Sequence, residues 1–447
     1  MSERFSRVTG VAVLGAAVVG AGAVAWLGAR VSLLLAIACA LLSVGAAVAL
    51  EGWLVTRSRR SERVATMPLA PRVVMAQTRG VFAGPVTVTV LIPAHNEETR
   101  IRATLAALHA QTRMPEKVVV VADSCTDYTA SIARAWGVEV FRTVGNEHAK
   151  AGALNQALGE VLPELGDNDV VLVMDADTVL DRGFVEAAVR RMTDDRALMA
   201  IGGQFFGEPG GGWLGLLQRN EYLRVSRDER RRNGGIVVLS GTASVFRPRA
   251  LRAIAAARGT LLPGRAGDVF DTVALTEDDE LTLALRSLGA LMISPPQCAV
   301  VTEVMPSWAA LWNERLRSRR GALENLAAYG VHLHTYRLWA RQLGIGYGVV
   351  AIASFALLLA TIAVSMESST WAPLLVSALS VFAIERVVTV WRGGWASRGI
   401  AALVLPELAY ACFLGAVYVK GVIDIALKKQ PTWQPMIPDS GRLGALR

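Results

Sequence analysis

The chain begins with two long apolar runs separated by three residues. The runs Val8–Leu27 and Val31–Val55 each reach the roughly 20 residues that an apolar helix needs to cross a bilayer. They predict a transmembrane hairpin over residues 1–56. The basic cluster Arg57–Arg63 follows directly, and the excess of positive charge on cytoplasmic loops predicts that the next domain lies in the cytoplasm.

Further apolar runs follow residue 340 and predict transmembrane or interfacial helices over residues 341–427, with a tail at 428–447. The three runs are Leu343–Val364, Trp371–Val390 and Ile400–Val419. The third contains Pro406 and Glu407, and an ionisable group inside a membrane span costs about 2.5–3.5 kcal/mol. We therefore expect Glu407 to face protein or a water-filled path.

The number of C-terminal crossings is left open by the charge pattern. A full crossing by the third run puts Lys428 and Lys429 outside, against the positive-inside bias. Either that run is re-entrant or interfacial, or the stretch Glu385–Arg398 lies flat on the membrane.

The polar region at 57–340 alternates strand-like and helix-like segments. Buried-strand patterns at 86–92, 117–121, 138–141 and 169–174 alternate with helical spacing at 101–110, 127–136 and 149–162. This order predicts an α/β domain with a mostly parallel sheet, followed by interfacial helices near 306–340. Ligands of such sheets bind at the carboxyl ends of the strands.

Composition supports an integral membrane protein and excludes an ordinary soluble enzyme. Apolar residues make up 53% of the 447 residues and charged residues only 19%. The net charge is +8, but the basic residues cluster where apolar runs end, so an anionic membrane surface is favoured over nucleic acid as the partner. The four cysteines show neither metal-site nor disulfide spacing, which is typical of a reduced, cytoplasmic domain.

Carboxylates follow the predicted strands. Asp175 and Asp177 come directly after an apolar strand, and hard oxygen ligands in that position suit Mg²⁺ or Mn²⁺ bridging to a diphosphate. The stretch Thr276–Glu280 opens a predicted helix at 281–288. Acids at a helix start are ordinary dipole partners, or one of them is a general base.

Six motifs, in this order, resemble those of family 2 inverting glycosyltransferases. The similarity is greatest to the membrane-embedded branch, which contains cellulose-, hyaluronan- and poly-N-acetylglucosamine-synthase-like enzymes. It extends from about Val86 to Gly330. The motifs are Val90–Glu98, Val121–Asp127, His148–Ala157, Met174–Thr178, Gly241–Arg247 and Thr276–Asp278.

The resemblance implies a Rossmann-like GT-A domain, flanked by transmembrane helices at both ends, that uses a nucleotide-diphosphate sugar, most often a UDP-sugar, with Mg²⁺ or Mn²⁺. It assigns Asp278 as the catalytic base and Asp177 as the metal ligand. By the same resemblance the donor contacts are Pro93, Ala94, Asn96, Glu97, Asp123, His148, Lys150, Gly152, Asp175 and Arg317. Accessory or acceptor-side roles fall to Gly241, Thr242, Glu277, Glu314 and Arg315.

One motif departs from the family pattern. Processive members carry Gln-Arg-x-Arg-Trp after the base, whereas this chain has Glu314 and Ser318 in place of the Gln and the Trp. The departure argues against long-chain synthesis unless Trp308 or Trp312 supplies the aromatic platform. The alternative for the arginines here is a basic interfacial helix on anionic lipid.

Three functions remain under comparison. The leading hypothesis is an inverting transferase of the inner membrane, with a cytoplasmic catalytic domain, that acts on a glycan or lipid-linked acceptor. Extension and export of a polysaccharide by this enzyme is a second, separate hypothesis. The alternative within the class is transfer of a single sugar to a polyprenyl phosphate or another lipid. A non-catalytic lipid or sugar transporter is the alternative from another class, and it would need neither Asp177 nor Asp278.

Overall fold

The computed structural model describes residues 85–429, except 167, 196, 232–237, 240, 333 and 366–381. The predicted N-terminal hairpin, the tail beyond residue 429 and part of the predicted span at 371–390 lie outside the described residues.

A seven-stranded sheet forms the centre of the domain, in the order β3-β2-β1-β4-β8-β6-β9. Strands β1 to β4 are mutually parallel, and β8 runs antiparallel to both β4 and β6. The predicted mostly parallel α/β sheet is therefore confirmed. The strands are β1 (Val88–Ala94), β2 (Lys117–Ala122), β3 (Glu139–Arg142), β4 (Val170–Met174), β6 (Leu198–Gly202), β8 (Ala243–Phe246) and β9 (Leu291–Ile293).

Helices cover both faces of this sheet, which explains the uninterrupted apolar runs of the central strands. Alternate residues of one strand enter opposite cores: Leu91 packs on one face, whereas Val90 and Ile92 pack on the other. The first core includes α3 (Ala149–Glu164), α6 (Pro248–Ala257) and α7 (Glu277–Ser287). The second includes α1 (Ile101–His109), α2 (Thr129–Ala135) and α4 (Phe184–Asp194).

A small second sheet lies beside the first. Its order is β5-β10-β7, formed by β5 (Val179–Leu180), β10 (Ala299–Thr302) and β7 (Gln204–Gly207). Helix α5 (Gly212–Arg231) follows β7 and contacts it.

The C-terminal part is helical. It contains α8 (Trp308–Tyr329), α9 (Tyr336–Ser365), a helical segment at 382–389, a 3₁₀ turn (Trp391–Gly393), α10 (Gly394–Ala402) and α11 (Leu405–Ala426). Helix α8 packs against both α7 and α11. Ser307 caps its start by accepting a hydrogen bond from the Ala310 N–H at 3.2 Å, and Gly330, with a φ of 74°, ends it.

The apolar run expected at 400–419 is not one helix. The backbone breaks at Leu403 and Val404, and α11 begins at Leu405, so Pro406 occupies the first turn, where its missing N–H costs nothing. Glu407 is 1% exposed and pairs with Arg224 of α5 at 2.7 Å. The expectation that Glu407 faces protein is confirmed, and its ion-pair partner Arg224 is distant in the sequence.

Within the described part of the chain, one helix, α11, has the length and the apolar composition needed to cross a membrane. Length and composition alone do not distinguish a span from a core helix. Transmembrane segments at both ends therefore remain a prediction.

Candidate active site

Four of the motifs meet at one edge of the large sheet. Asp123 and Asp175 follow β2 and β4, whose carboxyl ends lie side by side with that of β1. Because β8 runs in the opposite direction, Gly241 and Thr242 before its first residue reach the same edge. The Asp175 N–H donates to the Thr242 carbonyl at 3.0 Å, which fixes the two loops to each other.

Lys150 joins two of the motifs at a single ammonium group. Its Nζ lies 2.9 Å from an oxygen of Asp175, 3.0 Å from Asp278 and 3.3 Å from Glu277. Lys150 lies in the first turn of α3, whereas Glu277 and Asp278 lie in the first turn of α7. The structure thus brings the proposed base next to the residue expected to face the donor sugar.

Burial and the neighbouring charges both shift the pKa values of these groups. Burial favours the neutral form of Lys150, but Asp175, Asp278 and Glu277 outweigh it and hold the pKa of Lys150 well above its usual value. Burial raises the pKa of Asp278 to about 6; Lys150 opposes this shift, and Glu277 and Asp175 add to it. Near neutral pH the Asp278 carboxylate is therefore ionised, yet basic enough to accept a proton.

Gly241 is needed at its position because it lies against the proposed base. A Cβ built on Gly241 would lie 2.3 Å from Oδ2 of Asp278, far inside van der Waals contact. The absence of a side chain lets the backbone before β8 approach the Asp278 carboxylate.

A second acidic group surrounds Asp177. Burial and the charge of Glu303 raise the pKa of Asp177, and burial together with Asp177, Asp175 and Glu303 raises the pKa of Glu97 to about 7. Arg100 partly balances this group through an ion pair with Glu303 at 2.5 Å. The remaining acidic excess and its hard oxygen donors fit a divalent cation.

No three His, Cys, Asp or Glu side chains form a ready-made metal cage among the described residues. Mg²⁺ and Mn²⁺ do not require such a cage. These ions are usually held by one or two carboxylates together with waters and substrate phosphates.

The predicted nucleotide contacts shape the loops after β1 and β2. Asn96 has a φ of 58°, and its Oδ1 accepts hydrogen bonds from the N–H groups of Thr126 at 2.8 Å and Asp127 at 3.3 Å. Oδ1 of Asp123 accepts from the Thr143 hydroxyl at 2.6 Å. Pro93 and Ala94 form the end of β1, directly before these loops.

His148 and Gly152 lie at the start of α3, beside Lys150. His148 is exposed, and its N–H donates to Oδ1 of Asn146 at 3.0 Å. A Cβ on Gly152 would lie 2.1 Å from the same oxygen. The glycine therefore permits the tight loop that delivers Lys150 to the site.

Arg315 and Arg317 of α8 lie in different environments. Arg317 is exposed and lies close enough to Glu277 to lower the pKa of that carboxyl. Arg315 instead pairs with Glu221 at 3.0 Å and with Glu314 at 2.9 Å. Glu314 and Arg315 thus link α8 to α5, and the structure does not bring them to Asp278.

The aromatic alternatives for an acceptor platform pack against α11. The ring centroid of Phe413 lies 5.0 Å from that of Trp308 and 5.6 Å from that of Trp312. Trp308 nevertheless remains 47% exposed.

Sequence reasoning missed Glu303. It follows the apolar strand β10, so the signal that marked Asp175 and Asp177 was also present here. The strand is only four residues long and its partners are distant in sequence, which hid its place at the site.

Comparisons with known proteins found similarity to glycosyltransferases. The family model described as glycosyl transferase family 2 matches residues 89–255, a segment that ends before Asp278. The probable glycosyltransferase YdaM of Bacillus subtilis is 26% identical over 251 residues, covering 52% of this chain and 54% of that protein. The UDP-forming cellulose synthase catalytic subunit of Pseudomonas fluorescens is 28% identical over 253 residues, covering 53% and 31%.

A solved structure shares the fold. The mannosyltransferase PcManGT from Pyrobaculum calidifontis, in complex with GDP-Man and Mn²⁺, has a TM-score of 0.56 at 19% identity and covers 89% of this chain and 99% of that chain. The chain spans about half the length of the Bacillus subtilis relative and about a third of the Pseudomonas fluorescens relative.

Proposed function

We propose that this protein is a membrane-bound inverting glycosyltransferase, because residues 89–255 match the family model described as glycosyl transferase family 2. It moves a sugar from a nucleotide-diphosphate donor, a UDP-sugar in the leading version, to a hydroxyl of a glycan or lipid-linked acceptor. The observation that carries the proposal is the Lys150 ammonium, which contacts both Asp175 and Asp278.

In the proposed reaction Asp278 takes the proton of the acceptor hydroxyl. The hydroxyl oxygen then forms a bond to the anomeric carbon on the face opposite the leaving nucleotide diphosphate. The bond from that carbon to the diphosphate oxygen breaks, and the anomeric configuration inverts. The pKa of about 6 suits Asp278 to this role, because the carboxylate is ionised at neutral pH yet still a competent base.

The leaving group gains negative charge during this step. The cations Lys150 and Arg317 both lie near Glu277 in the first turn of α7, and they stabilise negative charge at this edge of the sheet. A bound Mg²⁺ or Mn²⁺ would neutralise the diphosphate as a Lewis acid, with Asp177 as its ligand and Glu97 and Glu303 nearby.

The test is nucleotide release by the purified full-length protein in nanodiscs. It is incubated with Mg²⁺ or Mn²⁺, with UDP-, GDP- and dTDP-sugars, and with membrane lipid extract as acceptor. We expect metal-dependent release by the wild type and loss of at least about a hundredfold in Asp278→Asn. Glu160→Gln, an exposed acid on α3, is the matched control and should keep wild-type activity.

Release by Asp278→Asn at the wild-type rate would contradict the assignment of the base. If protein that is inserted and folded releases no nucleotide with any donor, the result would favour the alternative of a non-catalytic lipid or sugar transporter.

One observation favours single transfer over polymer extension. Ser318 replaces the aromatic residue of the processive motif, and Arg315 of that motif is engaged by Glu221 and Glu314. With radiolabelled donor we expect an organic-extractable product of one fixed size. Products of increasing length would instead support the hypothesis that the enzyme extends a polysaccharide.

We further propose that the catalytic domain lies on the cytoplasmic face of the cell membrane. Support comes from the basic cluster at 57–63, from the candidate span α11 and from the apolar runs at both ends of the chain.

A further inference from the structure

One face of α8 lies against the first turn of α7, the helix that carries the proposed base. The residues on that face are Gly321, Asn325 and Tyr329, which recur every four positions and therefore align along the helix. A Cβ on Gly321 would lie 2.4 Å from the Thr276 hydroxyl oxygen, so the two helices approach closely at this point.

Asn325 makes the central contact of this face. Its Nδ2 donates to the Thr276 carbonyl at 2.9 Å and lies 3.1 Å from the Thr276 hydroxyl oxygen. Asn325 is 5% exposed and Thr276 is 8% exposed, so water cannot readily replace these bonds.

Thr276 determines where α7 begins. It is the N-cap residue, with an extended backbone at φ −132° and ψ 93°, and its side chain does not cap the helix. Its carbonyl also accepts the hydrogen bond from the Glu280 N–H at 3.1 Å that closes the first turn. Glu277 and Asp278 follow immediately, so a shift of Thr276 moves both carboxylates relative to Lys150.

Tyr329 contacts Glu280 at the end of the first turn of α7. Its hydroxyl donates to Oε1 of Glu280 at 2.5 Å, and Glu280 also pairs with the fully buried Arg258. The first turn of α7 is therefore held at Thr276 from α8, and at Glu280 from both α8 and the end of α6.

We propose that Asn325 is a positioning residue for the general base. It touches neither donor-loop residues nor Asp278, and it acts by fixing the N-cap Thr276 so that the Asp278 carboxylate stays beside Lys150. This inference rests on the proposed function, because it assumes that Asp278 is the base. It assigns a role to a residue outside every motif of the sequence analysis.

The experiment compares three variants with wild type in nanodiscs. Asn325→Ala removes the amide, and Asn325→Leu removes it while keeping most of the side-chain volume. Asn220→Ala is the matched control, because Asn220 is equally buried but donates to Ser397 and Glu407, away from α7.

We expect both Asn325 variants to lose at least about tenfold in kcat, per folded protein, while the donor KM and the dissociation constant of the nucleotide change by less than about twofold. The acid limb of the kcat–pH profile should also shift, because the pKa of Asp278 depends on its distance from Lys150. Asn220→Ala should show neither effect.

A wild-type kcat and pH profile in Asn325→Leu would overturn the inference and leave the proposed function intact. A parallel loss of donor binding would also overturn it, since the residue would then act on the donor site. Inactivity of the wild type and the control with every donor would overturn the proposed function, and this inference with it. If Asn325→Ala and Asn325→Leu are not recovered folded, Asn325→Ser, which keeps a shorter donor, is expected to show the same split between kcat and KM.

Discussion

At the scale of single residues, Lys150 is the shared counter-charge of acids that have different proposed roles. One ammonium contacts Asp175, Glu277 and Asp278. Each carboxylate therefore interacts electrostatically with the other two as well as with the cation. Coulombic coupling at such short distances, in a buried setting, is much stronger than in water. The proton affinity of Asp278 is consequently a property of the group and not of one side chain.

The pKa of Asp278 predicts the pH dependence of turnover. The pKa is raised to about 6 by burial, and the active form is the deprotonated one, so kcat should be constant above about pH 7 and fall about tenfold per unit below pH 6. Glu277→Gln removes a charge that raises this pKa, so the acid limb should move to lower pH. Turnover measured at saturating donor between pH 4.5 and 8.5 checks both statements; a flat wild-type profile would contradict them.

Gly241 offers a test of geometry without any change of charge. In Gly241→Ala the new methyl group would collide with the Asp278 carboxylate, so the carboxylate must move. We expect kcat to fall by at least about a hundredfold, because small misplacements of reacting groups are costly. Gly159→Ala on α3, where a Cβ meets no atom within 4 Å, is the control and should retain activity. Full activity in Gly241→Ala would show that Asp278 does not act from its observed position.

At the scale of elements, the buried strands were the most predictable part of the fold. The β-branched runs predicted strands at 117–121 and 169–174, and the structure has them at Lys117–Ala122 and Val170–Met174. Such runs are buried on both faces and leave no other solution. The six strands from β5 to β10 were not predicted. Most of them have only two to four residues, which gives a weak hydropathy pattern.

The convergence at the site was predictable only in part. The polar residues after β1, β2 and β4 follow from parallel strands sharing one edge. The approach of Lys150 to Asp278, 128 positions apart, depends on how α7 packs over the sheet, and the family resemblance assigned roles to both residues without giving this contact. Likewise, hydropathy along the chain did not reveal the break at Val404, because a backbone dihedral carries no hydropathy signal.

The buried pair of Arg258 and Glu280 is predicted to stabilise the packing of α6 against α7. The guanidinium donates two hydrogen bonds of 2.7 Å to the carboxylate, and the side chains are 0% and 2% exposed. Arg258→Met leaves Glu280 buried without its cation, so we expect a loss of about 3–5 kcal/mol in stability. The fall in melting temperature, followed by tryptophan fluorescence, checks this.

Two further variants test the cause of the stability loss in Arg258→Met. Arg102→Met, an exposed arginine on α1, should leave the melting temperature unchanged. Arg258→Met combined with Glu280→Leu should recover much of the loss, because no unpaired charge remains. A double variant as unstable as Arg258→Met would show that the unpaired carboxylate does not cause the effect. The loss would then come from packing and from the hydrogen bonds that Arg258 donates to the carbonyls of Pro263, Asp268 and Val269.

At the scale of the whole molecule, α11 is held to the catalytic domain by polar contacts on one side. The Tyr410 hydroxyl donates to Glu221 at 2.6 Å, and Glu407 pairs with Arg224 at 2.7 Å. Both partners lie on α5, whereas Cys412 of α11 is exposed. Within the described part of the chain, the helix therefore has a protein-facing polar side and an exposed side that includes Cys412.

This division predicts the reactivity of Cys412. If the exposed side of α11 contacts lipid, a charged maleimide should modify Cys412 in nanodiscs much more slowly than a small uncharged maleimide does, because the charged reagent is excluded from hydrocarbon. Val144→Cys, at a site that is 83% exposed on the catalytic domain, is the positive control for both reagents. Mass spectrometry of the labelled peptides measures the outcome, and rapid labelling of Cys412 by the charged reagent would place α11 in water.

The contact between α8 and the first turn of α7 also limits how the chain can be shortened. The segment that matches the family ends at residue 255, and a fragment cut shortly after Ser287 would contain the six motifs and the proposed base, but not the expected donor contact Arg317 of α8. It would lack Asn325 and Tyr329, so the start of α7 would lose its supports from α8. A soluble fragment intended for crystallisation or inhibitor screening should therefore extend through Gly330, with the apolar α11-facing side of α8 redesigned, since an earlier cut would remove both the expected donor contact Arg317 and the residues that support the start of α7.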